Sequence, residues 1–194
     1  MNPLRPIPEE SQAIHHITDE MVDGKPTINQ VLPQVLEIMQ NYPIVGHGVP
    51  FDIECIYNAA KNYGLDCTLK DSRVIDTLRL ARNYGNSPIN SLAYLREHFN
   101  VPFEGAHRAM SDVLVNVDVF KHLSKGYRKT EELYEILSKP ILLKTMPLGK
   151  HKGRAMMEIP LPYLQWASKQ NFDQDLIYSL RSEIKKRKKQ NSFS

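Results

Sequence analysis

Cysteine is almost missing from this chain: Cys55 and Cys67 are the only two, twelve apart, with no CxxC and no Cys/His cluster around them. That argues against a disulfide scaffold or a zinc finger and fits a reducing cytoplasm. Long apolar runs are also lacking. No stretch approaches the roughly eighteen residues of a membrane span, and no apolar segment follows Met1-Asn2-Pro3-Leu4-Arg5-Pro6 as a signal peptide requires, so no membrane partner is expected. Gly149 to Arg154 lacks the Gly-x4-Gly-Lys-Ser/Thr of a Walker A loop. No internal repeat occurs. What remains is a 194-residue polypeptide of ordinary 41% hydrophobic content, enough for one medium domain or one domain with a small appendage.

The net charge of +3 hides an asymmetry. Residues 1–143 hold 14 Lys/Arg against 18 Asp/Glu, whereas residues 144–194 hold 11 against 4. An acidic first part suits a carboxylate site for cations, and a basic last part suits a polyanion. Either excess also suits a solvated surface.

Apolar residues at spacings of three and four predict a helix over 27–39, through Ile28, Val31, Leu32, Val35, Leu36 and Met39. Ile44-Val45-Gly46 reads as a short buried strand, and residues 51–63 return to helical spacing, capped by Gly64. Val74-Ile75 is a second strand, with Asp76 as N-cap of a helix over 77–82. Further helices are expected over 89–99, 109–123 and 130–137. Short strands alternating with long helices indicate α/β layering. Two strands cannot make a stable sheet beneath five helices. Strands from another chain, or a sequence that begins inside its own domain with Met1 an internal methionine, would complete it, and the second is favoured. The helices at 28–39, 51–63 and 109–123 should then present apolar faces where further strands belong. Composition changes near 139–144. We place a domain over 1–138 and a small basic one over 139–194, with a turn at Leu148–Arg154 between two short extended runs, a helix over 162–168 and a closing helix from about Asp173.

Two motifs about sixty residues apart carry chemistry. His47-Gly48-Val49-Pro50-Phe51-Asp52 follows the first strand, and Ala106-His107-Arg108-Ala109-Met110-Ser111-Asp112 opens a helix. Asp52 falls just past the C-terminal end of a strand, where open α/β sheets place their sites. Each aspartate alone is equally an acid favouring a helix dipole, and a His-x4-Asp spacing alone is common. Order and company make the difference. Ile14-His15-His16-Ile17-Thr18, Asp76-Thr77-Leu78 and Ser91-Leu92-Ala93-Tyr94-Leu95 fall in sequence with the two motifs. Residues 2–124 thereby resemble the DEDDh, or DnaQ-like, 3′–5′ exonucleases.

That resemblance implies a ribonuclease H-like α/β fold and a two-metal route of phosphodiester cleavage with two Mg²⁺ (or Mn²⁺) ions. It makes Asp52 and Asp112 metal ligands and His107 the general base. His15 and Phe51 would lie against the terminal nucleotide. Gly48 stands where the family commonly has asparagine. The family's first signature, an Asp-x-Glu on its first strand, has no counterpart. Asp52-Ile53-Glu54 matches in letters, but residues two apart on a helix point in different directions. Asp173-Gln174-Asp175 fails in the same way, and the fold is expected to lack its first strands.

Met146 to Arg154 and Pro162-Tyr163-Leu164-Gln165-Trp166 resemble the small α+β domain that follows the nuclease domain in exonuclease X-type proteins. Its turn offers Lys150, Lys152 and Arg154 beside Trp166. It could hold single-stranded nucleic acid by charge and stacking, or be a plain hairpin with Trp166 in a small core. The expectation is a metal-dependent exonuclease on DNA or RNA 3′ ends that releases nucleoside monophosphates and is inactive for want of the first signature. The other reading is a non-catalytic nucleic-acid-binding remnant. Association with a DNA polymerase is open in either.

Overall fold

Thr27 starts the first long helix of the molecule by donating its N–H to Gln30 Oε1 at 2.8 Å, one arm of a capping box. In this computed structural model, which describes residues 1–87, 89–102 and 109–191, the helix runs over Ile28–Gln40 and continues through Pro33. Two shorter helices precede it, α1 (Glu9–His15) and α2 (Asp19–Val22), which makes the long one α3. The chain divides into two compact units, Met1–Tyr134 and Glu135–Ser194.

In the first unit, β1 (Ile44–Gly46) leads into α4 (Val49–Asn62), and β2 (Val74–Asp76) leads into α5 (Thr77–Tyr84). The strands pair in parallel, with Ile44 opposite Val74 and Gly46 opposite Asp76. Parallel neighbours need a crossover, and α4 supplies it. Leu32 and Leu36 of α3 pack with Val49, Ile53 and Ala60 of α4 and with Leu69 in one buried cluster. After α5 come α6 (Leu92–His98), α7 (Ala109–Ser124) and α8 (Thr130–Ser138), with α7 packed on both α5 and α6.

Two sequence expectations are corrected here. The helix expected from Ile89 begins only at Leu92, because the Ser91 hydroxyl accepts the Tyr94 N–H and caps it there. Of the three helices expected to present apolar faces, α7 does so: Met110, Val113, Leu114 and Val117 form one exposed stripe, while Val115, Val119 and Leu123 are buried. Helices α3 and α4 instead bury most of their apolar residues in one shared cluster, with Ile38 and Phe51 left exposed.

The second unit is organised by α9 (Leu161–Ala167) and α10 (Gln174–Asn191). Leu164, Ala167, Leu176 and Leu180 meet Met146, Met156 and Ile159 in its core. The extended runs expected around Leu148–Arg154 reduce to a single antiparallel bridge, Thr145 with Ala155, because 3₁₀ turns occupy Gly149–His151 and Met156–Glu158. Arg187 ties α10 down. Its guanidinium donates to the Met156 and Ile159 carbonyls at 2.9 Å each and to Glu183 at 2.8 Å. No helix among the described residues is long and apolar enough to cross a membrane.

Candidate active site

Gly46 ends β1 at a position where a side chain does not fit: a Cβ there would lie 2.7 Å from Val49 Cγ2. Two residues later Gly48 adopts φ +77°, a left-handed conformation that glycine takes freely and asparagine tolerates best among the others. The departure from asparagine at this position therefore keeps the backbone the corner requires. Helix α4 starts immediately, with Pro50 in its first turn, where a missing N–H costs nothing. This corner places Asp52 in the first turn of α4, exposed, beside Phe51, which is 75% exposed.

Asp76 holds the corner in place. The residue is 5% exposed, and Oδ1 accepts the N–H of Leu78 as the α5 cap and the N–H of Gly48, each at 2.9 Å. One oxygen thus joins the end of β2 to the start of α4 through charge-assisted bonds.

Next to it, buried Thr77 is a hub. Its Oγ1 lies 3.0 Å from the Gly46 carbonyl, 3.0 Å from His47 Nδ1 and 2.7 Å from Asn116 Oδ1. A single hydroxyl proton cannot serve both oxygens. Turning the Asn116 amide so that its NH₂ faces Thr77 satisfies both contacts. Burial lowers the His47 pKa, Asp76 opposes that shift, and Arg82 adds to the lowering. The ring is held neutral, and since the Thr77 proton goes to the Gly46 carbonyl, His47 Nδ1 carries the ring proton and donates it to Oγ1.

Asp112 is exposed in the first turn of α7, one turn before Asn116. Residues four apart share a helix face, so the Thr77–Asn116 contact ties Asp112's helix to the β1 corner that carries Asp52. His107 lies outside the described residues. Neither aspartate side chain has a hydrogen-bond or ion-pair partner among the described residues, and both are hard oxygen donors of the kind Mg²⁺ takes. The donor set fits such an ion in type. It is short in number: among the described residues no three His, Cys, Asp or Glu side chains converge.

The look-alike pairs are used otherwise. Glu54 bonds Lys70 at 2.9 Å, an interaction that lowers the Glu54 pKa. Asp173 Oδ1 caps α10 by accepting from Asp175 and Leu176, and Asp175 accepts from the Ile141 N–H at 3.0 Å. His15 uses Nδ1 to accept the Ile17 N–H at 3.0 Å.

In the second unit Lys150, Lys152 and Arg154 are all exposed on one turn, with Lys150 Nζ 5.0 Å from the Tyr163 ring centre. His151, between them, is buried edge-on against Tyr163 at 4.5 Å, and burial followed by the charges of Lys150 and Arg154 lowers its pKa. Trp166 is 53% exposed and 5.3 Å from Tyr163, outside the buried core.

The motif-based reading assigns nothing to His47, Thr77 or Asn116. A signal was present: Asp76-Thr77 directly follows the second strand, and Asn116 stands four residues after Asp112.

Comparison with known proteins points to exonucleases. Residues 1–120 match the RNase T family, described as exonuclease, and residues 132–182 match a family described as quorum-sensing-regulated virulence factors. Exonuclease CP81 of Escherichia phage 186 is 33% identical over 138 residues, covering 65% of this chain and 71% of the phage protein. The DNA polymerase III epsilon subunit of Aquifex aeolicus is 35% identical over 115 residues, 59% of this chain and 56% of that protein. The chain spans 9% to 56% of the length of seven other curated relatives, the epsilon subunit among them. Among solved structures, exonuclease X in complex with 5′ overhanging duplex DNA superposes with a TM-score of 0.50 at 25% identity, over 68% of this chain and 75% of that one.

Proposed function

Since this chain belongs to the RNase T exonuclease family, we propose that it contributes two metal-binding carboxylates, Asp52 and Asp112, and a general base, His107, to metal-dependent 3′–5′ cleavage of nucleic acid ends. The product is a nucleoside monophosphate. What supports this most directly is the β1–α4 corner, which delivers an exposed, uncommitted Asp52 at the C-terminal end of a parallel strand.

Bound divalent ions would supply charge neutralisation at the scissile phosphate and activation of the attacking water. The chain's own residues do the rest. His107 takes the proton from that water, a role a histidine suits near neutral pH. Phe51 offers an exposed ring on which the terminal base stacks, and His15, with Nδ1 engaged by Ile17, has Nε2 left to meet the terminal nucleotide. Lys150, Lys152 and Arg154 hold phosphates of the strand without reading its sequence.

Among the described residues no strand carries an Asp-x-Glu pair, and a two-ion site with two carboxylates lacks most of its charge. A polypeptide of these residues alone should bind nucleic acid and turn it over little. The test compares it with a polypeptide extended at its N-terminus by a strand segment bearing Asp-x-Glu, on a labelled single strand in Mg²⁺. The expected result is release of nucleoside monophosphates from the 3′ end by the extended form. Robust digestion by the unextended chain overturns the dependence on the missing pair. Binding without cleavage by both forms overturns the enzymatic reading in favour of a binding remnant.

A further inference from the structure

Helix α10 has two faces with different tasks. Leu176, Leu180, Ile184 and Arg187 recur at spacings of three and four and point into the second unit, where the three apolar residues pack and Arg187 caps the Met156 and Ile159 carbonyls. Half a turn around, Tyr178, Arg181, Lys185 and Lys189 recur at the same spacing on the opposite face, all exposed. Between this face and Pro140 runs an open groove of about 440 Å³, lined by Ile177, Tyr178, Arg181, Ser182 and Lys185. Tyr178 is 43% exposed there. The Arg181 and Lys185 side chains have no ion-pair or hydrogen-bond partner among the described residues, in contrast to Arg187 in the same helix.

We propose that this groove binds single-stranded nucleic acid, with a base stacked on Tyr178 and consecutive phosphates on Arg181 and Lys185. The parts match what such a ligand needs. Ile177 and Pro140 give an apolar floor beside an aromatic ring, which accepts any base because every base has a π-face. Arg181 and Lys185 stand one helical turn apart, roughly 6 Å along the axis, of the same order as the step between phosphates in an extended strand. Residues 135–194 hold 12 Lys/Arg against 5 Asp/Glu, so the surroundings attract a polyanion. An acidic protein segment would share the charge but has no use for an aromatic ring on an apolar floor. Every residue in it lies in the second unit, and none of them is among the residues assigned above to cleavage or to holding the strand.

The test is fluorescence anisotropy of a fluorescein-labelled oligo(dT) 12-mer with the full chain in EDTA, where cleavage cannot contribute. Tyr178→Leu, which keeps the apolar floor and removes the π-face, should weaken binding on the order of tenfold, and Tyr178→Phe should restore it. Arg181→Gln with Lys185→Gln should reduce the slope of log K against log salt by about 1.4, two single-strand phosphate contacts' worth. All of these side chains are on the exposed face, and circular dichroism verifies that the variants fold. Unchanged affinity in Tyr178→Leu together with an unchanged salt slope in the double variant overturns the proposal. So does a loss confined to Lys150, Lys152 and Arg154 variants. Equal competition by poly-glutamate, insensitive to Tyr178→Leu, would assign the groove to an acidic protein instead and also overturns it.

Discussion

Thr77 Oγ1 lies 2.7 Å from an Asn116 side chain that sits one turn after Asp112 on α7, and the same oxygen lies 3.0 Å from the carbonyl of Gly46 at the end of β1. One buried hydroxyl therefore sets the spacing of the two segments that carry Asp52 and Asp112. Thr77→Val keeps the shape and removes the hydroxyl, leaving the Gly46 carbonyl and the Asn116 amide without it. We expect a loss of about 1–3 kcal/mol in stability, read by urea denaturation, with Thr77→Ser recovering most of it. A Thr77→Val protein as stable as its parent would show that the hub does not hold the segments.

Gly48 tests the corner itself. Its φ of +77° predicts that Gly48→Asn is tolerated, while Gly48→Val costs about 1–2 kcal/mol through left-handed strain. Thermal unfolding of the two variants is the measurement. Equal melting temperatures would show that the corner relaxes to an ordinary conformation.

The burial of His47 has a pH signature. Its folded pKa lies below the ordinary 6.5, so between that lowered value and 6.5 the unfolded chain binds more protons than the folded one. Stability contributed by the neutral ring is complete above pH 6.5 and is lost as the pH falls through the window beneath it. His151 is shifted in the same direction and adds to the effect. Melting temperatures from pH 7.5 to 5 should fall less steeply in His47→Asn than in the parent, and parallel curves would remove His47 from the account.

The exposed stripe on α7 should be visible to a hydrophobic dye. Met110, Val113, Leu114 and Val117 together form a continuous apolar strip of the kind that usually has a partner. The purified chain is expected to enhance 8-anilinonaphthalene-1-sulfonate fluorescence, and Val113→Lys with Val117→Lys should reduce that signal without lowering the melting temperature. A chain that leaves the dye dark contradicts the reading of this face.

The proposed catalytic roles separate in kinetics. In a polypeptide extended to carry the missing acidic pair, His107→Ala should lower single-turnover cleavage roughly a hundredfold or more and leave Mn²⁺ and DNA binding intact. Asp112→Ala should instead weaken Mn²⁺ binding itself, since it removes one of few ligand charges. Parent-rate cleavage by His107→Ala removes the base assignment, and by Asp112→Ala the ligand assignment.

Much of this architecture was legible in the sequence because local rules wrote it there. The 3.6-residue period of Ile28 to Met39, the strand at Ile44–Gly46 and the cap at Asp76 all rest on neighbours in the chain, and each is found where it was expected, although the strand is not buried as expected: Val45 is 40% exposed. What depended on partners distant in sequence was not legible. That α3 and α4 satisfy each other depends on Leu36 meeting Val49 and Ile53, which neither helix period reveals. Thr77 looks like an ordinary first-turn residue until Asn116, 39 positions away, is placed beside it. The start of the helix expected at Ile89 failed for a local reason: Ser91 is a stronger start signal than a continuing apolar pattern.

The anchoring of Arg187 bears on how the protein can be cut and handled. Its run, Lys185-Lys186-Arg187-Lys188-Lys189, invites trimming as a dispensable charged tail, yet its central residue latches the last helix to the Met156 and Ile159 carbonyls. A polypeptide ended at Ile184 would lose that latch along with the charge, leaving two carbonyls uncapped and the helix held only by Leu176, Leu180 and Ile184. Any change in binding after such a deletion would mix electrostatics with a disturbed scaffold. Replacing Lys185, Lys186, Lys188 and Lys189 while keeping Arg187 separates the two. For the same reason, an affinity tag belongs beyond Asn191, where the latch stays upstream of the junction.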